Sequence, residues 1–175
     1  MSHRLRFFVV ASLVAAYPVL AQNSPAGGKW TYRVEQDKMT DGYWSVFTLR
    51  AEQKIGDGLL SGVPEFTITC GKGWRDSQLN VPVVIASDWV EVRAEGKTHQ
   101  REWGIGEDRR TFFVDGHDWL DMKRVPATKE ILRSADIRIK FEAYPGHYFV
   151  IQFSPGGIDR AMLNKACGAK FVNEK

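Results

Sequence analysis

The feature of the sequence that most restricts the fold is the alternation of apolar and polar residues in short segments. In residues 30–35, Trp30, Tyr32 and Val34 alternate with three polar side chains. Because successive side chains of a β-strand point to opposite faces, this pattern is typical of a half-buried strand. Comparable patterns predict further strands over residues 43–51, 66–70, 81–85, 90–93, 111–114, 137–143 and 148–153.

Turn-forming residues separate these segments. They are Asp57-Gly58, Gly71–Gly73, Glu95-Gly96, Gly104–Gly106 and Pro145-Gly146. Many short strands separated by such turns predict a mainly β fold, an antiparallel β-sandwich-like domain.

Two helices are expected within this β pattern. Thr128 is a suitable N-cap for a short mid-chain helix that places Ile131 and Leu132 inward. The second, C-terminal helix is predicted to follow Ser154-Pro155, since Ser is a favoured N-cap and Pro a favoured first residue. Gly168 is the expected C-terminal cap of that helix.

The N-terminus has the pattern of a secretory signal peptide. Arg4 and Arg6 precede an apolar run of roughly 15 residues, shorter than the roughly 20 that a membrane span needs, and a small-residue site ends at Ala21. We therefore expect a signal peptide over residues 1–21, a flexible linker over 22–29 and a single β-rich domain over 30–175. The expected location is periplasmic or secreted, with no membrane insertion after signal cleavage.

The charge of the chain argues against nucleic acid as a partner. The formal net charge is +3 for the whole chain, and removal of Arg4 and Arg6 lowers it to +1. Proteins that bind nucleic acid usually present a basic face.

Cys70 and Cys167 are the two cysteines of the chain. In an exported protein such a pair predicts one disulfide. The alternative, a redox or catalytic thiol, is disfavoured because the sequence has no CxxC and no His close to either Cys.

The stretch EQDKMTDGYW, residues 35–44, carries two aspartates, Asp37 and Asp41. They indicate either a turn between two strands or a carboxylate or calcium site. An EF-hand loop that began at Asp37 would need a Glu at its twelfth position, where this chain has Thr48. The stretch therefore predicts a hairpin turn.

The segment FVDGHDWLD is the candidate metal site, with Asp115, His117, Asp118 and Asp121. His and carboxylate side chains bind zinc when three or more converge. The spacing matches no known zinc signature, so an exposed polar loop is favoured and no cofactor is expected. A small metal-dependent hydrolase that uses His117 with Asp115 or Asp121 is kept as an alternative.

A partner-binding surface is the other candidate site. Trp74 lies in the polar segment GKGWRDSQ, where we expect a turn. Of the six tryptophans it is the best candidate for an exposed ring that contacts a partner, and the favoured alternative is a ring folded back over the sheet edge. Lys97, His99 and Arg101 alternate on one predicted strand face, and two arginines follow the glycine turn, so pairing of these segments would gather the charges. The candidate partner-binding residues are Trp74, Arg75, Arg101, Arg109 and Arg110.

Several segments together resemble a known family. They are DKMTDGYW, FTITCG, VEVRAEG, LRSADIRIKFEAYPGHYFVIQF and GIDRAMLNKAC. They resemble the VasI-like family of small exported bacterial proteins, some of them associated with type VI secretion. The resemblance implies a role accessory to a secretion apparatus and brings no catalytic residues.

No GxSxG nucleophile motif occurs in the sequence, so enzymatic activity is the less favoured hypothesis. The expected function is that of an exported non-enzymatic cell-envelope module that binds an envelope or secreted protein. An inhibitor of a wall-degrading enzyme remains an alternative, and the sequence leaves the oligomeric state open.

Overall fold

The computed structural model describes residues 24–25, 29–36, 42–72, 74–115 and 127–168, with the backbone alone for residues 24, 25 and 74. In chain order the strands are β1 (Ser24–Pro25), β2 (Trp30–Gln36), β3 (Tyr43–Arg50), β4 (Glu65–Gly71), β5 (Trp74–Asn80), β6 (Ile85–Ala94), β7 (Lys97–Glu102), β8 (Gly104–Ile105), β9 (Thr111–Phe113), β10 (Ile137–Ala143) and β11 (His147–Phe153). The helices are α1 (Ala127–Arg133) and α2 (Arg160–Cys167), and a short 3-10 helix covers Gly58–Leu60.

The strands form two antiparallel sheets. The large sheet has seven strands in the order β1-β2-β3-β4-β5-β9-β8, and the small sheet has four in the order β11-β10-β6-β7. This architecture confirms the predicted mainly β, sandwich-like fold with a mid-chain and a C-terminal helix.

The core lies where the inner faces of the two sheets meet. Phe47 and Ile68 of the large sheet and Ile139 of the small sheet are fully buried. Phe112 of β9 packs edge-on against Phe141 of β10, with ring centroids 5.5 Å apart. The alternation in the sequence therefore marks the faces that bury apolar surface.

The N-terminal part of the large sheet includes two regions singled out in the sequence. Ser24–Pro25, inside the predicted linker, pairs with residues 31 and 32 of β2. β2 pairs with β3 from Trp30 opposite Leu49 to Gln36 opposite Tyr43, as expected for a hairpin. Asp37 and Asp41 of the connection, and the predicted signal peptide, lie outside the described residues.

The segment expected to form a polar turn is strand β5. Residues 74–80 pair with β4 along seven positions and with β9 at three. Ser77 and Leu79 are buried, so one face of this polar segment still contributes to the core. Val81 and Val83, predicted to lie in a strand, are instead buried in the connection to β6.

Helix α1 begins before the predicted cap. Thr128 is fully buried inside the helix, and its backbone N–H donates to Oδ1 of Asp115 at 3.0 Å. Asp115, not Thr128, therefore provides the side-chain acceptor at this helix start.

Helix α2 begins later than predicted, at Arg160. Asp159 is its N-cap, and its Oδ1 accepts hydrogen bonds from the N–H groups of Ala161 and Met162. Pro155, expected as the first helical residue, instead offers its carbonyl oxygen to the buried indole N–H of Trp30 at 2.8 Å.

The predicted end of α2 and the predicted disulfide are both confirmed. The N–H of Gly168 donates to the Asn164 carbonyl, and Gly168 has a φ of 91°, which glycine adopts readily. Cys70 of β4 is bonded to Cys167, with the two Cα atoms 5.0 Å apart. The last helix is thus fastened covalently to the large sheet.

The two edges of the small sheet differ. Along β11, the N–H of Glu52 donates to the Gln152 carbonyl, and the side-chain amide of Gln53 donates to the Val150 carbonyl, each at 2.8 Å. Along β7, five of the six residues are exposed, and none of the described residues pairs with its outer edge.

Candidate binding face

The solvent-facing side of the small sheet is the candidate site. Val90 and Val92 of β6 are buried, so the residues between them point outward, and the pairing of strands extends this arrangement across the sheet. We call this surface the outer face, and it comprises Trp89, Glu91, Arg93, Thr98, Gln100, Glu102, Arg138, Lys140, Glu142, Tyr148, Val150 and Gln152.

Three large side chains of the outer face are exposed. The exposed fractions are 57% for Trp89, 65% for Tyr148 and 50% for Val150. Full burial of a large apolar side chain stabilises by about 1.5–3 kcal/mol. A partner surface that buried these three side chains would therefore gain favourable binding free energy.

Lys140 occupies the centre of the outer face. Its Nζ lies 3.7 Å from Oε2 of Glu91 and 5.3 Å from the ring centroid of Tyr148. An exposed ion pair of this kind contributes at most about 1 kcal/mol. The ammonium group can therefore exchange Glu91 for a partner's carboxylate at little cost.

One end of the outer face carries two facing arginines. Arg138 of β10 lies directly opposite Arg93 of β6. They border a cavity of about 150 Å³, whose lining consists of Arg93, Glu95, Gly96, Asp136 and Arg138. Asp136 accepts a hydrogen bond from the Gln152 side chain at 2.7 Å, and its other oxygen is 3.8 Å from Nε of Arg138.

Two of the arginines predicted to bind a partner serve internal contacts. Arg101 forms a salt bridge with Glu130 of α1, and both side chains are about one-fifth exposed. The guanidinium of Arg109 donates to the Ile85 carbonyl, at 2.9 Å from Nη2. Arg110 is exposed.

The charged surface expected from pairing of residues 97–101 with 107–110 is not formed. β7 pairs with β6 in the small sheet, whereas β8 crosses to the large sheet and pairs with β9. Trp74 and Arg75 lie elsewhere, at the start of β5, opposite Gly71 and Cys70. Arg101 therefore lies on the small sheet, whereas Arg109 and Arg110 precede β9, and the backbone of Trp74 and Arg75 lies at the start of β5 in the large sheet.

The candidate metal ligands are described only in part. Asp115 accepts the hydrogen bond at the start of α1, while His117, Asp118 and Asp121 lie outside the described residues. Within the described part of the chain, no group of three or more His, Cys, Asp or Glu side chains is placed to hold a metal ion.

The predicted partner-binding set omitted two exposed apolar features. Trp89 lies on the same face of β6 as Glu91 and Arg93, because these residues occupy alternate positions of the strand. Leu59 is fully exposed at the tip of a loop that two backbone hydrogen bonds between Ile55 and Gly62 close. The sequence signal for that loop is the apolar pair Leu59-Leu60, which lies between Gly58 and Gly62.

The carboxylates with shifted acidity lie outside the outer face. Hydrogen bonds from Arg33, and then from Trp44, lower the pKa of Glu35. The backbone N–H of Arg110 lowers the pKa of Asp108. These hydrogen bonds hold Glu35 on the large sheet and Asp108 in the turn before β9.

None of the helices in the described residues has the length and apolarity to cross a membrane. Comparison with protein-family models, characterised proteins and solved structures finds no match to this chain.

Proposed function

We propose that this protein is an exported, non-enzymatic module of the cell envelope that binds another protein through the outer face. The observation that carries the proposal is the exposure of Trp89 and Tyr148 on a regular sheet surface. Trp and Tyr are the side chains most often responsible for binding energy at protein interfaces.

Features of the sequence support the cellular setting. The N-terminal pattern favours export, and a disulfide such as Cys70–Cys167 persists in oxidising compartments. The resemblance to the VasI-like family favours a partner that belongs to, or is handled by, a secretion apparatus. The partner is therefore an envelope or secreted protein.

The size of the outer face bears on affinity. Strands spaced by about 4.8 Å and residues spaced by about 3.3 Å give a surface of roughly 15 by 20 Å, or about 300 Å². A stable complex buries about 800 Å² on each partner. We therefore expect the contact to continue onto the turn after β10, where Tyr144 is 68% exposed.

The test is a crosslinking pull-down from envelope extract, with the disulfide-bonded protein as bait and mass spectrometry as the readout. Trp89→Ala and Tyr148→Ala should each reduce recovery of the partner tenfold or more, as expected for central interface residues. Tyr43→Ala is the matched control, because Tyr43 is 63% exposed on the large sheet. Equal recovery with all three variants would refute the proposal.

The same experiment tests the two other hypotheses for binding. Loss of the partner with Trp74→Ala, and not with Trp89→Ala, would move the site to the start of β5. Recovery of a wall-degrading enzyme would identify the protein as its inhibitor, which a lysis assay then checks directly.

A further inference from the structure

We propose that the pocket at the Arg93–Arg138 end of the outer face binds a singly charged oxyanion, a carboxylate, between these two arginines. The inference rests on the geometry of the cavity and stands whether or not the outer face binds a protein. It assigns to this end of the small sheet a specific ligand chemistry.

The first argument is the direct opposition of two positive charges. Residues opposite each other in an antiparallel pair have Cβ atoms about 4.5–5.5 Å apart, and like charges at such positions repel. The side chain of Arg93 has no hydrogen-bond or ion-pair partner among the described residues. An anion between the two guanidinium groups would remove this repulsion and accept hydrogen bonds from both.

The second argument is that Asp136, the carboxylate nearest to Arg138, also binds Gln152. Asp136 is 3.8 Å from Nε of Arg138, beyond hydrogen-bond distance, and its other oxygen is held by Gln152. The guanidinium of Arg138 thus keeps N–H groups for a ligand. Arginine suits this role because its planar fork matches a carboxylate.

The third argument is the space and the remaining lining. The cavity of about 150 Å³ admits a small acidic group, and a Cβ placed on Gly96 would meet no atom within 4 Å, so the approach is open. Glu95 and Asp136 add two negative charges to the lining. They disfavour a doubly charged phosphate and favour a carboxylate whose ligand also presents an N–H, as the end of a peptide does.

The test is an NMR titration of the side-chain Nε–H signals of the arginines at constant ionic strength. The probes are N-acetylglycine, glycine and inorganic phosphate. We expect saturable shifts of Arg93 and Arg138 with the two carboxylates, at a dissociation constant of about 1 mM, and weaker binding of phosphate. Tighter binding of phosphate would overturn the carboxylate assignment, and no saturable shift with any probe would overturn the site.

Variants separate binding from general charge effects. Arg93→Gln should weaken binding of N-acetylglycine tenfold or more, because a charge-assisted hydrogen bond is lost. Arg50→Gln is the matched control, since Arg50 is an exposed arginine paired with Glu65 on the large sheet, and it should leave the affinity unchanged. Equal losses in both variants would contradict the proposal.

If Arg93→Gln fails to fold, Arg138→Gln provides the same comparison from the other strand. The pull-down with Trp89→Ala instead measures the binding of a protein partner through the aromatic side chains of the outer face. Failure of the carboxylate site and failure of the protein-binding proposal are therefore distinguishable.

Discussion

Removal of the Cys70–Cys167 disulfide should lower the free energy of unfolding by about 4.7 kcal/mol, about a third or more of the stability of a typical domain. The bond joins residues 97 positions apart and so closes a loop that spans most of the described chain. In the chain-entropy model a loop of this length restricts the unfolded state by about 4.7 kcal/mol at 25 °C. A typical domain has a free energy of unfolding of about 5–15 kcal/mol.

The assay is urea unfolding at 25 °C, followed by tryptophan fluorescence and circular dichroism. Three forms are compared: the oxidised protein, the reduced protein and the double variant Cys70→Ala/Cys167→Ala. The oxidised and reduced forms differ only in loop closure. The reduced form and the double variant differ by two sulfur atoms. Cys70 is 2% exposed and Cys167 is half-buried, and we expect about 1 kcal/mol for the loss of packing.

The dependence on urea gives a second, independent readout. Without the bond the unfolded chain is more expanded and exposes more surface, so the slope of the free energy against urea should increase. A difference of less than about 1 kcal/mol between oxidised and reduced protein would refute the loop-closure reasoning. It would mean that the bond does not restrict the unfolded chain to the extent that the chain-entropy model assumes.

Three further predictions concern single contacts. Asp159→Ala should lower the free energy of unfolding by about 1 kcal/mol, through loss of the α2 cap, whereas Asp57→Ala, at the 3-10 helix whose cap makes no side-chain hydrogen bond, should leave it unchanged in urea unfolding. Arg101→Met should cost about 2 kcal/mol by leaving Glu130 without its main partner, and the double variant with Glu130→Gln should recover part of it in a double-mutant cycle. Because the pKa of Glu35 lies below 4.5 in the folded protein, its contribution to stability is complete above about pH 4.5 and is lost as the pH falls through the lowered pKa. Glu35→Gln should therefore flatten the fall in melting temperature below pH 4.5.

Strands with one buried face could be predicted from the sequence because burial determines their composition. Ile137, Ile139 and Phe141 are all buried in β10, and the polar residues between them point outward. β5 could not be predicted in this way, because Leu79 is the only large apolar residue in the core among the side chains of β5 that the structure describes. Its pairing with β4 on one side and β9 on the other holds it in the sheet despite its polar sequence.

The start of α2 shows how tertiary contacts override local signals. Ser154-Pro155 has the composition of a helix start, and so has Asp159, four residues later. The buried indole of Trp30 takes the Pro155 carbonyl and fixes this residue outside the helix, so the second signal determines the boundary. Residues 125 positions apart decide the outcome, and a local pattern does not contain that information.

The kind of candidate site could be predicted from the sequence, but its position in the fold could not. An aromatic residue exposed beside charged side chains was expected, and the sequence shows Trp89, Glu91 and Arg93 at alternate positions, which places them on one face of a strand. The opposition of Arg93 and Arg138 could not be predicted, because it depends on the register between β6 and β10. Register between strands that are distant in the sequence is set by the packing of the whole sheet.

The unequal edges of the small sheet limit how copies of this protein could assemble. Glu52 and Gln53 cover the edge of β11 at Val150 and Gln152, while none of the described residues pairs with the outer edge of β7. Two copies that met through β7 would close each other's open edge, so growth of the small sheet by this route ends at a pair and does not continue into a fibre.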